Sequence, residues 1–308
     1  MLVTTAGVAA GAVALRTLAH QAILRGLRAP RMAHDGSHAR HTLTASRVHE
    51  VRIPGPRGRR LFGWLVLPGS TDHKPAPAVL AMHGWGANAT TMWPVAPPLV
   101  EAGFAVLLLD ARCHGDSEDE AFTSMPRFAE DIAAGLAWLG TRPEVRADRL
   151  ALVGHSVGAA ASLLHAARAG GVRGVVSLSA FAHPDEVMRR FLAEKRVPYR
   201  PLGWYVIRHV QRVIGARFDD IAPLATVRRA RCPVLLVHGR HDTTAPFDDA
   251  LRLQAAAAPG TGLLAVDGDH DLREALAPHV ADIVGFLRQA CSDAPDTIAG
   301  IETPPADR

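Results

Sequence analysis

Residues 151–170 read ALVGHSVGAAASLLHAARAG, an apolar run that passes through Gly154-His155-Ser156-Val157-Gly158 into an alanine-rich periodic segment. A continuous Val/Leu run predicts a buried strand, and the periodic segment behind it predicts a helix. A serine between two glycines at such a junction has two readings. One is a tight turn. The other is a nucleophile on a sharp strand-to-helix elbow, where small residues at 154 and 158 let the backbone turn and lift the hydroxyl to the edge of a sheet. The helix N-terminus beneath it would favour developing negative charge. The G-x-S-x-G pattern arises often by chance, so the rest of the chain has to decide.

Upstream, RVHEVRIP (47–54) and RRLFGWLVLP (59–68) predict two strands around the turn GPRG. APAVLAMHG (76–84), FAVLLLDA (104–111), RLALVGHS (149–156), VRGVVSLSAF (172–181), CPVLLVHG (232–239) and GLLAVDG (262–268) follow. Runs that are apolar throughout, rather than alternating, suit strands covered on both faces of a parallel sheet. Phe128, Ile132, Leu136 and Leu139 share one face of a helix, the segment after Ser156 forms another, and residues 271–290 predict a last one. The expected fold class is α/β, a mostly parallel eight-stranded sheet with helices on both faces and its active loops at the C-terminal ends of the strands.

The fifty residues between Phe181 and Cys232 exceed what a crossover needs. Within PLGWYVIRHVQRVIG (201–215), Tyr205/Val206, Val210, Val213 and Ile214 form an apolar stripe, with Arg208 and Arg212 on the other side. Two readings stand: a small helical cap over about 182–220, and a surface helix packed on the core. The expected organisation is a leader over 1–45, a main domain over 46–291 carrying the cap, and a loose tail over 292–308.

Hydrophobic residues make up 48% of the 308 and charged residues 21%, as in a folded globular protein rather than a disordered one. Net charge is +4, but residues 1–60 hold ten arginines against Asp35 and Glu50, a balance of +8 that leaves −4 on the remainder. The main domain therefore carries no electrostatic sign of nucleic-acid binding. Three cysteines, Cys113, Cys232 and Cys291, lack the spacing of a disulfide framework or a zinc site, which weakly favours a cytoplasmic setting with reduced thiols. The leader opens with LVTTAGVAAGAVAL (2–15), followed by Arg16, Arg25, Arg28 and Arg31. Its first 31 residues read either as a membrane anchor or membrane-surface helix, or as a soluble helix or loose leader.

A serine hydroxyl needs a base, an orienting acid and donors for the oxyanion. Taken together, several motifs in order resemble the α/β-hydrolase family over about residues 47–290. HGWG (83–86) is similar to the family's oxyanion loop, which assigns the two donors to the backbone N–H groups of Trp85 and Val157 and makes His83 a buttress. DARCHGDS (110–117) resembles the family's D-x-R-G-H-G-x-S stretch, with Cys113 in place of a glycine, and implies structural roles for Asp110, Arg112 and His114. LLVHGRHDTTAP places Asp242 at the position of the acid, and VDGDHD places His270 at that of the base. The order Ser156, Asp242, His270 is the one this architecture uses. Asp185 is the fallback acid; Asp269 and Asp271 read as loop or helix-cap residues, and His155 and His238 as packing groups or groups that support the site residues.

Within the family this chain resembles, an aspartate at the elbow goes with dehalogenases and epoxide hydrolases and a cysteine with dienelactone hydrolases, so the resemblance implies acyl transfer to water for Ser156. The leading expectation is hydrolysis of a carboxylic ester through an acyl-enzyme, without cofactor or metal. Thioesters, amides and small peptides use the same machinery. The competing class is a non-catalytic, ligand-binding or membrane-tethered member of the fold. The expected partner is a small acyl ester with an apolar portion, in a pocket supplied by Phe181, Phe191, Tyr199, Trp204 and Tyr205.

Overall fold

Eight strands gather the chain's apolar runs into one twisted sheet. The computed structural model describes residues 14, 16–35, 48–69 and 74–292. The strands are β1 Val48–Pro54, β2 Arg60–Val66, β3 Ala76–Met82, β4 Ala105–Leu109, β5 Val145–His155, β6 Val175–Leu178, β7 Val234–Gly239 and β8 Gly262–Val266. They lie in the order β1-β2-β4-β3-β5-β6-β7-β8. β2 runs antiparallel to β1 and β4, and every other pairing is parallel. Parallel neighbours need crossovers, and the crossovers place helices over both faces.

Two apolar layers result. On one face Leu80, Leu107, Leu109 and Leu152 meet Phe128 and Ile132 from the helix Met125–Leu139, and Leu163 from the helix Val157–Arg168. On the other, Val79, Val106, Leu108 and Val153 meet Phe104, and Phe286 and Leu287 from the helix Val280–Ala290. Each such side chain, fully buried, contributes roughly 1.5–3 kcal/mol before the entropy of ordering is set against it. Gly135 lets its helix lie close on the sheet, for a Cβ there would stand 2.6 Å from a Leu80 methyl.

The structure moves three expected boundaries. β5 begins at Val145, ahead of the polar residues that hid its start, because Val145 pairs with Ala76 of β3. The last helix runs only over Val280–Ala290: residues 272–276 form turns, a single 3-10 turn follows at Ala277–His279, and Pro278 brings no N–H to a longer helix. In the interval after Phe181 two longer helices form, Pro184–Glu194 and Trp204–Ile214, followed by the short turns Phe218–Ile221 and Pro223–Val227. The buried stripe of the second helix centres on Ile207 and Val210, while Tyr205, Val206, Val213 and Ile214 are half-buried. Its helical phase begins at Trp204, which turns 203, 207, 210 and 214 inward.

Ahead of β1, a helix over 16–26 lies against the helix Trp204–Ile214, with His20 Nδ1 3.0 Å from His209 Nε2. Residues 27–35 then cross the loops at one end of the sheet. No helix of the described residues is long and apolar enough to cross a membrane. Apart from Ala14, the apolar run 2–15 lies outside the described residues, as do 36–47 and the tail from 293.

Candidate active site

The strand ends determine where chemistry can collect. Gly154, near the end of β5, pairs with Met82 of β3 on one side and Ser177 of β6 on the other, so the elbow opens at the middle of the sheet's C-terminal edge. Ser156 has φ 53° and ψ −115°, a strained backbone for a residue with a Cβ, and its N–H donates to Leu178 O at 2.8 Å. Both flanking glycines are sterically required. A Cβ on Gly154 would lie 2.4 Å from Gly158 O, and one on Gly158 would lie 2.4 Å from the carbonyl oxygens of Met82 and His83. The helix Val157–Arg168 therefore begins in contact with the end of β3, beside the 83–86 loop.

The candidate acid and base lie on the loops after two neighbouring strands. After β7, Asp242 Oδ1 accepts the N–H groups of Thr244 and Ala245, both at 2.8 Å. His238 Nε2–H donates to Ala245 O at 2.7 Å and holds that turn in shape. After β8 comes His270. A Cβ on Gly239 would sit 2.4 Å from the carbonyl oxygens of Gly268 and Asp269, so only glycine lets the two loops close on each other. His270 Nδ1–H donates to Asp242 Oδ2 at 2.8 Å, and His270 Nε2 lies 3.0 Å from Ser156 Oγ, within reach of the hydroxyl proton. The Asp242 side chain is fully shielded while that of His270 is 24% exposed. Burial pushes the Asp242 carboxyl up, but hydrogen bonds from His238, His270 and Ala245 outweigh it and hold it well below the usual carboxylate range.

Neutral histidines brace the surrounding loops. His83 Nδ1–H donates to Gly84 O at 2.7 Å and its Nε2 accepts Ala111 N–H at 3.0 Å. His114 Nδ1–H donates to Arg112 O at 2.9 Å, and its Nε2 accepts Gly86 N–H at 3.2 Å. Burial lowers the pKa of both, that of His114 to about 3 with His83 adding to the effect. The position of Gly84 leaves a Cβ only 3.3 Å from Ser156 Cβ, so this loop rests on the elbow. Neither Trp85 N–H nor Val157 N–H has an acceptor among the described residues.

The 110–117 stretch is scaffolding. Asp110 accepts Ala89 N–H at 2.7 Å and Asp116 N–H at 2.8 Å, and Arg112, fully buried, pairs with Asp131 at 2.7 Å and Glu120 at 2.8 Å. Cys113, where the resemblance expects glycine, adopts φ 66°; its Sγ accepts Glu120 N–H at 3.2 Å. All three cysteines are free thiols. Asp185, the fallback acid, instead pairs with Arg189 on its own helix. Asp269 accepts Asp271 N–H at 2.8 Å, and Asp271 pairs with Arg273. Among the described residues no group of three or more His, Cys, Asp or Glu could hold a metal ion.

Two features escaped the sequence: the partner of His155 and the cavity beside it. As a supporting group, His155 donates its Nε2–H to His270 O at 2.7 Å and ties the elbow to the loop of His270. Burial first, then His270 beside it, pushes its pKa down to about 4. The middle position of G-x-S-x-G offered a nitrogen there, but no pattern said what it faced. The second is the pocket. A cavity of about 220 Å3 adjoins the site through His155 and Asp271, with walls from Met32, Met92, Val95, Leu178, Leu272 and Leu276. The five aromatic residues expected around a substrate pocket are not among the residues lining this cavity. Phe181 is buried in the core, Phe191 and Trp204 face solvent, and Tyr199 and Tyr205 engage Arg189 and His209.

The strand order, the elbow and the loops after the last two strands give the chain the α/β-hydrolase fold, and its similarity to known hydrolases supports an enzyme of the serine-hydrolase type. The family model described as serine aminopeptidase, S33, matches residues 73–213, a span that includes Ser156 and ends before Asp242 and His270. Among curated proteins the chain is 28% identical over 230 residues to the uncharacterized protein YfhR of Escherichia coli, covering 72% of this chain and 73% of that one. It is 28% identical over 227 residues to the esterase YjfP of Escherichia coli, covering 70% and 89%. Among solved structures the esterase Pf2001 of Pyrococcus furiosus matches with a TM-score of 0.66 at 20% identity, covering 86% of this chain and all of that one.

Proposed function

We propose that the protein hydrolyses a carboxylic ester through an acyl-enzyme on Ser156, with His270 as general base, Asp242 as its orienting acid, and Trp85 and Val157 N–H as oxyanion donors. The observation that carries this reading is the pair of hydrogen bonds joining Asp242, His270 and Ser156, at 2.8 and 3.0 Å. As Ser156 Oγ attacks the carbonyl carbon, its proton passes to His270 Nε2 and the carbonyl oxygen becomes an oxyanion facing the two backbone donors. Collapse breaks the bond to the leaving alkoxide, which takes the proton from His270. Water then repeats the sequence, and the acid product leaves Ser156 free. Asp242, held ionised, keeps the Nδ1–H tautomer throughout and stabilises the imidazolium.

The description of the matching family favours a second reading, release of an N-terminal residue from a peptide. Such a substrate brings an α-ammonium group that calls for an unpaired carboxylate. Asp271, beside the cavity, is committed to Arg273, which favours the ester. A fluorophosphonate probe tests the serine chemistry: the parent labels and Ser156→Ala does not, with ester turnover falling by a factor on the order of 10⁶. Equal labelling of both would refute the reading and favour a non-catalytic member of the fold. Aminoacyl nitroanilides run beside nitrophenyl esters decide between amide and ester.

A further inference from the structure

We propose that residues 27–35 form a strap that completes the substrate pocket, with Met32 as the wall that sets the length of alkyl chain the ester site accepts and Asn88 as the positioning residue that fastens the strap to the oxyanion loop. The proposal rests on the ester-hydrolase reading of Ser156.

The strap is anchored along its length. Leu27 O accepts Thr123 N–H at 3.0 Å, and Arg28 Nε donates to Ala121 O at 3.1 Å. Arg31 donates to the carbonyls of Gly115 and Ser117 and pairs with Asp119 at 2.5 Å. Pro30 sits over the oxyanion loop, since a Cβ on Gly86 would stand 3.1 Å from its ring. His34 packs between Phe62 and Trp64, with ring centroids 4.9 and 4.5 Å away, and its Nε2–H donates to the buried Asp110 carboxylate at 2.7 Å. That carboxylate also accepts Ala89 N–H, so strap and loop share one anchor.

Asn88 makes the dependence mutual. It is fully buried; its Oδ1 accepts Thr90 N–H at 3.0 Å, and its Nδ2 donates to Met32 O and Ala33 O, each at 3.0 Å. The strap carbonyls are the partners recorded for the Nδ2 of Asn88, so strap and loop are held together by this one buried amide. Met32 then contributes its side chain to the cavity opposite Met92, Val95, Leu178 and Leu272. Walls of this kind hold an unbranched alkyl group, which an ester can present on its acyl or its alcohol side.

Two ester series separate those sources: nitrophenyl esters from acetyl to dodecanoyl, and acetates of alcohols from methyl to octyl, each assayed on the full chain. In the series whose chain enters the cavity, Met32→Ala raises the ratio of kcat/KM for long over short chains by about tenfold, and Met32→Trp lowers it by about the same factor. Asn88→Asp keeps an acceptor for Thr90 and removes both donors to the strap, so its profile shifts with that of Met32→Ala. Ratios within about twofold of the parent for all three variants, in both series, overturn the proposal. Fluorophosphonate labelling of the same preparations separates the two failures. Loss of labelling in the parent removes the serine reading, whereas labelled enzyme with unshifted ratios removes the strap alone.

Discussion

Replacing Asp242 by asparagine changes one atom's chemistry and leaves the shape of the site intact. In the structure Oδ1 is taken by two backbone donors, Thr244 and Ala245 N–H, at 2.8 Å. An asparagine must keep its carbonyl oxygen there, because turning the amide around would set NH2 against two N–H groups. Its NH2 then faces His270 Nδ1, which has to become an acceptor. The ring proton moves to Nε2, the atom 3.0 Å from Ser156 Oγ, and the base can no longer receive the serine proton. A triad locked in the wrong tautomer loses a factor of about 10⁴ in kcat, or roughly 5.5 kcal/mol of barrier at about 1.4 kcal/mol per decade. Steady-state hydrolysis of a short nitrophenyl ester measures the loss. Circular dichroism confirms an intact fold, and nitrogen chemical shifts of His270 report the tautomer. An asparagine variant within about tenfold of the parent, folded and with Nδ1 still protonated, would refute the assignment of Asp242 as the orienting acid.

Other outcomes follow from single contacts. Gly158→Ala sets a Cβ 2.4 Å from two carbonyl oxygens of the β3 end, so the helix must back away and carry Val157 N–H with it; kcat is expected to fall by about 10²–10³, the scale of one lost oxyanion donor, and an unaltered rate would clear Val157 of that role. The buried neutral histidines make stability pH-dependent. His155 and His114 titrate at about 4 and about 3 when folded against 6.5 when unfolded, so the unfolded chain binds more protons as the pH falls below 6.5. Their contribution is therefore full above 6.5 and drains away towards 4, by on the order of 3 kcal/mol for His155 alone, and a His155→Gln variant whose melting temperature falls across that window as steeply as the parent's contradicts the burial argument.

The parts of this protein that could be read from its sequence are those where a local pattern carries the physics. Continuous apolar runs mark strands covered on both faces, and β3 to β8 formed where such runs stood, while β1, VHEVRIP, lies at the edge and is mostly exposed. Phe128, Ile132 and Leu139 could be assigned to one helix face because a helix repeats its environment every three to four residues. Ends were harder. The start of β5 lies among Arg146, Asp148 and Arg149, where pairing with β3 overrides polar composition, and Pro278 shortened a helix that periodicity alone extended to 271. Contacts between distant segments left no local trace. Nothing around Asn88 announces the carbonyls of Met32 and Ala33, and the aromatic residues of 181–205 look like pocket walls only until the backbone turns Phe191 and Trp204 outward. Cys113 is an intermediate case: the chain keeps the left-handed backbone of a glycine position, and the thiol gains a bond to Glu120.

The order of the strands has a consequence for how the chain comes to life during synthesis. The elbow needs only β3, β5 and β6, all complete by residue 178, whereas Asp242 and His270 ride on the last two strands, and β8 is fastened on one side only. Under the proposed mechanism, a nascent or truncated chain displays Ser156 before Asp242 and His270 have docked, and is expected to be inert until they do. An edge strand is where local opening is expected first, and opening there would carry the His270 loop with it, so faster hydrogen exchange at residues 262–266 than in the central strands is the expected outcome.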